Sequence, residues 1–415
     1  MSIRRGPLAD LTIIDCTMAL AGPFGTALLA DMGANVIKVE PPSGDSFRPL
    51  PPTSPDYANA GRDADTGVDY GAPFATVNRN KRSVVLDFKD TADREKLLEL
   101  CEQADAIVEN MRTGVMDKLG LGYEVVRARN PRIVYGAVRG FGDPRTGESP
   151  YAEWPCYDLV AQSMGGVVGL TGPEDDPGYP CGTAVGDVYP GTLMALGVLA
   201  AVHHARSSGE GQFMDVAMYD AMLAFAGLAH SGYGHSGSNA KPNGRHQRAL
   251  MPFGIYPAKD GEVAICAPGP SHWPLLCEAM QRPDLADDER TRNNFIRVKN
   301  GTFIIEQVSA WSDTLTKREI LELLGGKVPC GPVNTSADVF EDPHVEAREM
   351  LMHFKPRGEN PEVAIIGSPL KFTKTPTGLY AAPPRLGEHG EEIFEELRIN
   401  RVGSDLSGFS GEDRS

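Results

Sequence analysis

One carboxylate, Asp187, stands in the stretch GTAVGDVYPG (182–191), between a glycine and a run that turns straight into helix-like sequence. An aspartate before a helix ordinarily caps it, a role worth about 1 kcal/mol, and taken alone this one has no stronger reading. The other reactive side chains are scattered. Seven cysteines, at 16, 101, 156, 181, 266, 277 and 330, are odd in number and form no C-x-x-C pair. That pattern fits free thiols in a reducing cytoplasm and argues against a disulfide framework or structural zinc. The nine histidines show no metal spacing. His203 and His204 are sequence neighbours and would point about 100° apart on a helix, so no metal is expected. Arg79, Lys81 and Arg82, in NRNKRS, form a local basic cluster that fits either a solvated face or an anionic ligand.

The elements that must position these groups follow from periodicity. LTIIDC (11–16) reads as a buried strand, AGPFGTALLADMG as a turn and helix closed at Gly33, and NVIKVE (35–40) as a second strand. Strand, helix and strand make a βαβ unit with parallel pairing. Residues 41–77, rich in Pro, Gly and Asp, read as a long loop. RSVVLDF, the helix TADREKLLELCEQA, DAIVEN (105–110) and RIVYGAVRG (132–140) continue the alternation, so the first 140 residues predict a doubly wound, Rossmann-like α/β domain. From 155 to 230 the pattern is helical. MPFGIYPAKDGEVAICAP reads as a hairpin turning at KDG, residues 270–350 as a small helical domain, and the last dozen residues as a frayed tail.

Composition narrows the function class. A net charge of −16 on 415 residues argues against a nucleic-acid binder, which needs a concentrated basic surface, but leaves room for a local anion pocket. GTLMALGVLAAVHHA, the most apolar long stretch, falls short of a membrane span and reads as a buried helix. The Rossmann layout invites a nucleotide, yet the first turn is TMALAGPFG rather than G-x-G-x-x-G, and neither a P-loop nor a G-x-S-x-G elbow is present. A nucleotide-dependent dehydrogenase fails on that missing fingerprint.

Seven blocks in order nevertheless resemble the class III CoA-transferases, the family of formyl-CoA and carnitine CoA-transferases, to which the α-methylacyl-CoA racemases are related. They are LAGPFGTALLADMGANVIKVEPPSGDSFR (20–48), NRNKRSVVLDFK (78–89), DAIVENMRTGVMDKLGLGYE (105–124), YDLVAQSMGGVVGLTG (157–172), GTAVGDVYPGTLMALGVLAAV (182–202), GEGQFMDVAMYDAML (209–223) and VPCGPVNT (328–335). The resemblance implies a large Rossmann-like domain beginning in residues 1–200, a helical linker at 201–235, a small domain at 236–350, and a return segment at 351–415. It further implies two chains threaded as interlocked rings, either a homodimer or a heterodimer with a same-fold subunit. Asp187 matches the family's nucleophilic aspartate. Ala21, Asn110, Met111, Lys118 and Arg139 fall where the family contacts CoA, which would be a substrate rather than a tightly bound cofactor.

The resemblance also marks departures. Formyl-CoA transferase has glutamine where this chain has Leu20 and arginine where it has Pro41. An apolar Leu20 near the reacting acyl group disfavours formate or oxalate. The loop SGSNAKPNGRHQRA matches the family's mobile cover, where Arg245, His246 and Arg248 are candidates for the acceptor's second carboxylate. Succinyl-CoA as donor and a substituted dicarboxylic acid, such as an alkyl- or arylsuccinate, mesaconate, itaconate or malate, as acceptor is the resulting expectation. Two alternatives stand beside it. A racemase would carry histidine at Tyr157, directly before Asp158. A non-catalytic CoA-binding subunit would need a partner chain.

Overall fold

A computed structural model describes residues 6–52, 70–247, 249–355 and 362–408. Contacts divide the chain into two units, one made of residues 1–166, 182–227 and 344–415, the other of 167–181 and 228–343.

The first unit is built on six strands: β1 (Thr12–Cys16), β2 (Asn35–Glu40), β3 (Arg82–Val85), β4 (Ala106–Glu109), β5 (Val134–Arg139) and β6 (Phe213–Ala217). All pair in parallel, in the order β3-β2-β1-β4-β5-β6. The β-branched runs IIDC and VIKVE are buried almost throughout, as strands covered on both faces must be. Helix α1 (Ala21–Asp31) connects β1 to β2 and is itself nearly all buried. Strand order reverses between β1 and β4, and crevices at such a switch point, outside the carboxyl ends of the strands, are where open α/β sheets bind ligands.

Three elements depart from the sequence reading. The 41–77 stretch is not all loop: α2 (Ala72–Asn78) closes it, nucleated by Pro73 in the first turn and anchored by Phe74, whose ring lies 4.0 Å under the Arg48 guanidinium. Residues 53–69 of that stretch lie outside the described residues. Next, α3 (Thr91–Glu102) starts as expected, with Asp90 accepting the Ala92 N–H at 2.8 Å, and α4 (Tyr123–Arg129) precedes β5. After α5 (Asp158–Met164), the apolar segment forms α6 (Val185–Ser208), 24 residues and so long enough to cross a membrane by length alone. Its inward stripe of Met194, Ala195, Val198, Ala201, Val202 and Ala205 is buried core. Because α6 runs unbroken past residue 200, the expected division there falls inside a helix. The expected helical linker also contains β6, which completes the large sheet before α7 (Met218–Phe225).

The second unit carries the hairpin of β7 (Phe253–Ala258) and β8 (Gly261–Cys266), turning at Lys259–Asp260 as the alternation predicts, with β9 (Cys330–Pro332) antiparallel to β8. Helices α8 (His272–Ala279), α9 (Gly301–Ser312) and α10 (Lys317–Leu324) pack Trp273, Leu276, Ile304, Val308 and Ile320 against Tyr256, Val263 and Ile265. The chain then returns to the first unit through the antiparallel pair β10 (Leu351–Phe354) and β11 (Val363–Ile366). Helix α11 (Gly390–Gly408) buries Ile393 and Leu397 and extends into what reads as a frayed tail; residues 409–415 lie outside the described residues.

Candidate active site

The site begins where β1 ends. The chain turns through Thr17, Met18, Ala19 and Leu20 before α1, and Ala19 takes φ +64°. That left-handed geometry costs a non-glycine residue roughly 1–2 kcal/mol, so its surroundings must hold it. Ala19 N–H donates to Asp45 Oδ1 at 3.1 Å. Met18 N–H donates to Asn110 Oδ1, and Asn110 Nδ2 donates back to the Met18 carbonyl, both at 2.8 Å. The turn is therefore tied across the switch point to the carboxyl end of β4. Beneath it lies a buried set of opposite charges. Lys81 Nζ meets Asp15 at 2.9 Å, Lys38 Nζ meets Asp45 at 2.8 Å, and Lys38 also donates to the Thr17 carbonyl at 3.0 Å. Burial pushes the Asp15 carboxyl up, but Lys81 and Lys38 more than offset this, and it ends well below the usual carboxylate range.

Asp187 is the third residue of α6 and does not cap it. Ala184 occupies the cap position without a side-chain bond. Its half-buried carboxylate receives no hydrogen bond among the described residues. Asp158, at the start of α5, lies beside it. Asp158 Oδ1 accepts the Gly186 N–H at 2.8 Å, and Gln162 Nε2 donates to both Asp158 oxygens at 2.9 and 2.8 Å. Burial first, and the Asp158 charge second, push Asp187 up to about 6.

Glycines allow this approach. A Cβ at Gly186 would stand 2.7 Å from the Asp158 carbonyl, one at Gly191 2.2 Å from the Ala21 carbonyl, and one at Gly25 2.3 Å from the Gly191 carbonyl. The N-terminal turns of α1 and α6 therefore meet backbone to backbone. Pro190, inside α6, lacks the N–H that would bond the Gly186 carbonyl. Cys156 packs on Gly140, just past β5, and burial with the Asp187 charge pushes its thiol up to about 11. The arrangement is a carboxylate that is ionised at neutral pH, more basic than a free aspartate and, among the described residues, uncommitted to any protein donor. Those are the properties of a nucleophile.

The expected CoA contacts divide. Leu20, Ala21, Asn110 and Met111 gather at the carboxyl ends of β1 and β4. Lys118 is exposed, at the end of a single helical turn, Val115–Lys118. Arg139 is buried and its guanidinium is occupied: it pairs with Glu109, donates to the Met111 carbonyl at 2.8 Å, and places Nε 3.5 Å from Asp143. It holds the Met111 backbone in place. The basic cluster is neither a solvated face nor a free anion pocket. Arg79 pairs with Asp31 at 2.6 Å, Lys81 with Asp15, and Arg82 with Glu396 at 2.8 Å and Glu392 at 3.2 Å. Arg245 and His246 belong to the second unit, where Arg245 meets Glu262 at 2.5 Å and His246 stacks edge-on against Tyr256. Arg248 lies outside the described residues. Gln162, Asp158 as a neighbour of Asp187, and Cys156 were not singled out from sequence. The i, i+4 spacing of Asp158 and Gln162 on one helix face was the available signal.

Comparison with known proteins agrees with the blocks quoted above. The family model described as CoA-transferase family III matches residues 8–390. A succinyl-CoA:mesaconate CoA-transferase from Haloarcula hispanica is 43% identical over 404 residues, covering 96% of this chain and 100% of the relative. A formyl-CoA:oxalate CoA-transferase from Streptomyces avermitilis is 33% identical over 429 residues, covering 94% and 97%. The crystal structure of a CAIB/BAIF family protein from Brucella suis superposes with a TM-score of 0.82 at 33% identity, over 95% of this chain and 100% of that one.

Proposed function

The chain belongs to CoA-transferase family III, and from that membership we propose that it moves CoA from succinyl-CoA to a substituted C4 dicarboxylic acid of the mesaconate type, through covalent intermediates on Asp187. The observation that carries this reading is the Asp187 carboxylate, raised to about 6, half-buried and, among the described residues, free of protein hydrogen bonds. Asp187 attacks the thioester carbonyl, the C–S bond breaks, and CoA leaves as the thiolate. The thiolate then attacks the aspartyl carbonyl of the mixed anhydride, releasing the donor acid as its carboxylate and leaving an aspartyl-CoA thioester. The acceptor carboxylate attacks that thioester, forms its own anhydride with Asp187, and is captured by the thiolate as the new acyl-CoA. Two carboxylates exchange one thioester, so no nucleoside triphosphate is consumed, in keeping with the absent P-loop motif.

Leu20, Ala21, Asn110 and Met111 are assigned to the CoA and acyl side of the site, with Lys118 as a phosphate cation and Arg139 as the residue that fixes Met111. Arg245, His246 and Arg248 are assigned to the acceptor's second carboxylate. The succinyl donor and mesaconate-type acceptor are supported by the relative at 43% identity and by an apolar Leu20. Exposed Leu159 on α5, Leu196 on α6 and Phe225 on α7 favour burial against a second copy, as in a dimer. Seven free cysteines accord with a reducing cytoplasm.

Incubating the purified chain with succinyl-CoA and a panel of carboxylic acids, followed by mass spectrometry of the CoA pool, tests the assignment. New thioesters are expected for branched or unsaturated C4 dicarboxylates. Turnover confined to formate or oxalate would overturn it.

A further inference from the structure

Gln162 has no group that could attack or protonate in acyl transfer, yet its buried side chain reaches a carboxylate beside Asp187. Nε2 reaches both oxygens of Asp158, at 2.9 and 2.8 Å, from one turn along α5. The third donor, the Gly186 N–H at 2.8 Å, comes from α6 one residue before Asp187. Three hydrogen bonds thus orient a carboxylate whose own chemistry the reaction does not require. Among the described residues neither Asp158 nor Asp187 has an ion-pair partner, so the clamp holds two like charges together with nothing between them to neutralise either. A buried amide spent on that arrangement implies that the repulsion itself is useful.

We propose that Gln162 is a positioning residue that clamps Asp158, and thereby keeps a fixed negative charge against Asp187 that drives the nucleophile toward its uncharged, acylated forms. As a free carboxylate Asp187 is repelled by Asp158; as an anhydride or a CoA thioester it carries no charge and the repulsion is gone. Acylation is therefore favoured relative to a solitary aspartate, and the free carboxylate is more basic and more nucleophilic. Without the Gln162 amide, Asp158 loses two of its three hydrogen bonds and can rotate toward solvent.

The ionisable groups beside Asp187 are Asp158 on α5 and the Cys156 thiol just before it; among the described residues Asp158 is the only charge that shifts Asp187. The inference rests on the reading of Asp187 as the acylated residue.

The test is the pH dependence of single-turnover acylation by succinyl-CoA, quenched and read by intact mass, in the wild-type chain, Gln162→Leu, Asp158→Asn and the double variant. The wild-type rate falls as pH drops through about 6. In Gln162→Leu the midpoint moves down by about one pH unit, the neutral-pH rate falls roughly three- to tenfold, and KM for succinyl-CoA stays within about twofold. Asp158→Asn keeps an acceptor for Gly186 N–H and reproduces the downward shift, and the double variant shifts no further. A folded Gln162→Leu or Asp158→Asn chain that acylates more slowly with its midpoint unmoved would reduce the pair to packing and overturn the inference alone. No wild-type adduct at any pH would overturn the inference together with the reading it rests on.

Discussion

Two groups of ionised side chains sit near the carboxyl ends of the same sheet and behave in opposite ways. Under the β1–α1 turn, Asp15 with Lys81 and Asp45 with Lys38 are fully buried and paired with opposite charge. Where α5 and α6 begin, Asp158 and Asp187 are half-buried and alike in charge. Desolvation pushes both aspartates, Asp15 and Asp187, upward; the neighbours decide the outcome. Two lysines bring Asp15 well below the ordinary range, whereas one aspartate carries Asp187 further up, to about 6. The matched set fixes the backbone of the turn. The unmatched pair holds a carboxylate in an unfavourable state that the proposed acylation would relieve.

The contrast can be broken at either end. Asp187→Ala removes the proposed nucleophile and should lower transfer by roughly 10³-fold or more, with circular dichroism unchanged. Near-normal turnover in that folded variant would take Asp187 out of the reaction. On the matched side, Lys81→Met strands Asp15 in the interior and should destabilise the fold by about 3–5 kcal/mol in urea melts; a stability change near zero would mean that the buried charges are not coupled as drawn. The smallest effect sharpens the difference most. A carboxyl whose folded pKa is raised binds its proton more tightly folded than unfolded. It therefore costs stability above about pH 6, a cost that disappears as pH falls through 6 toward the unfolded value of 3.8. Asp187→Asn should consequently stabilise the chain at neutral pH by on the order of 1–2 kcal/mol, and by nothing at a pH below both values. Equal effects at both pH values would show that charge is not the cause.

How much of this was legible in the sequence follows the same division. The β1–α1–β2 unit and the hairpin at Lys259–Asp260 were visible because buried strands and tight turns leave local patterns. β6 was not: FMDVA is short, only its last residue is buried, and Asp215 within it accepts the Asp143 N–H at 2.8 Å, a contact 72 positions away. Arg139 looked like a ligand cation for a related reason, since Glu109 lies 30 positions from it and no local pattern announces the pairing. Asp187 was legible through its surrounding motif, while its residue type and position before a helix pointed to a cap. Its environment depends on Asp158, 29 residues earlier, brought beside it by the packing of α5 and α6.

The central claim is that the carboxylate of Asp187 accepts the acyl group covalently. Mixing the chain with succinyl-CoA, trapping with hydroxylamine or by acid quench, and mapping the modified peptide tests it directly. The modification is expected on the peptide containing residue 187, and absent from Asp187→Asn. Transfer that proceeds at full rate with that peptide unmodified, or with the label on another residue, would contradict the account.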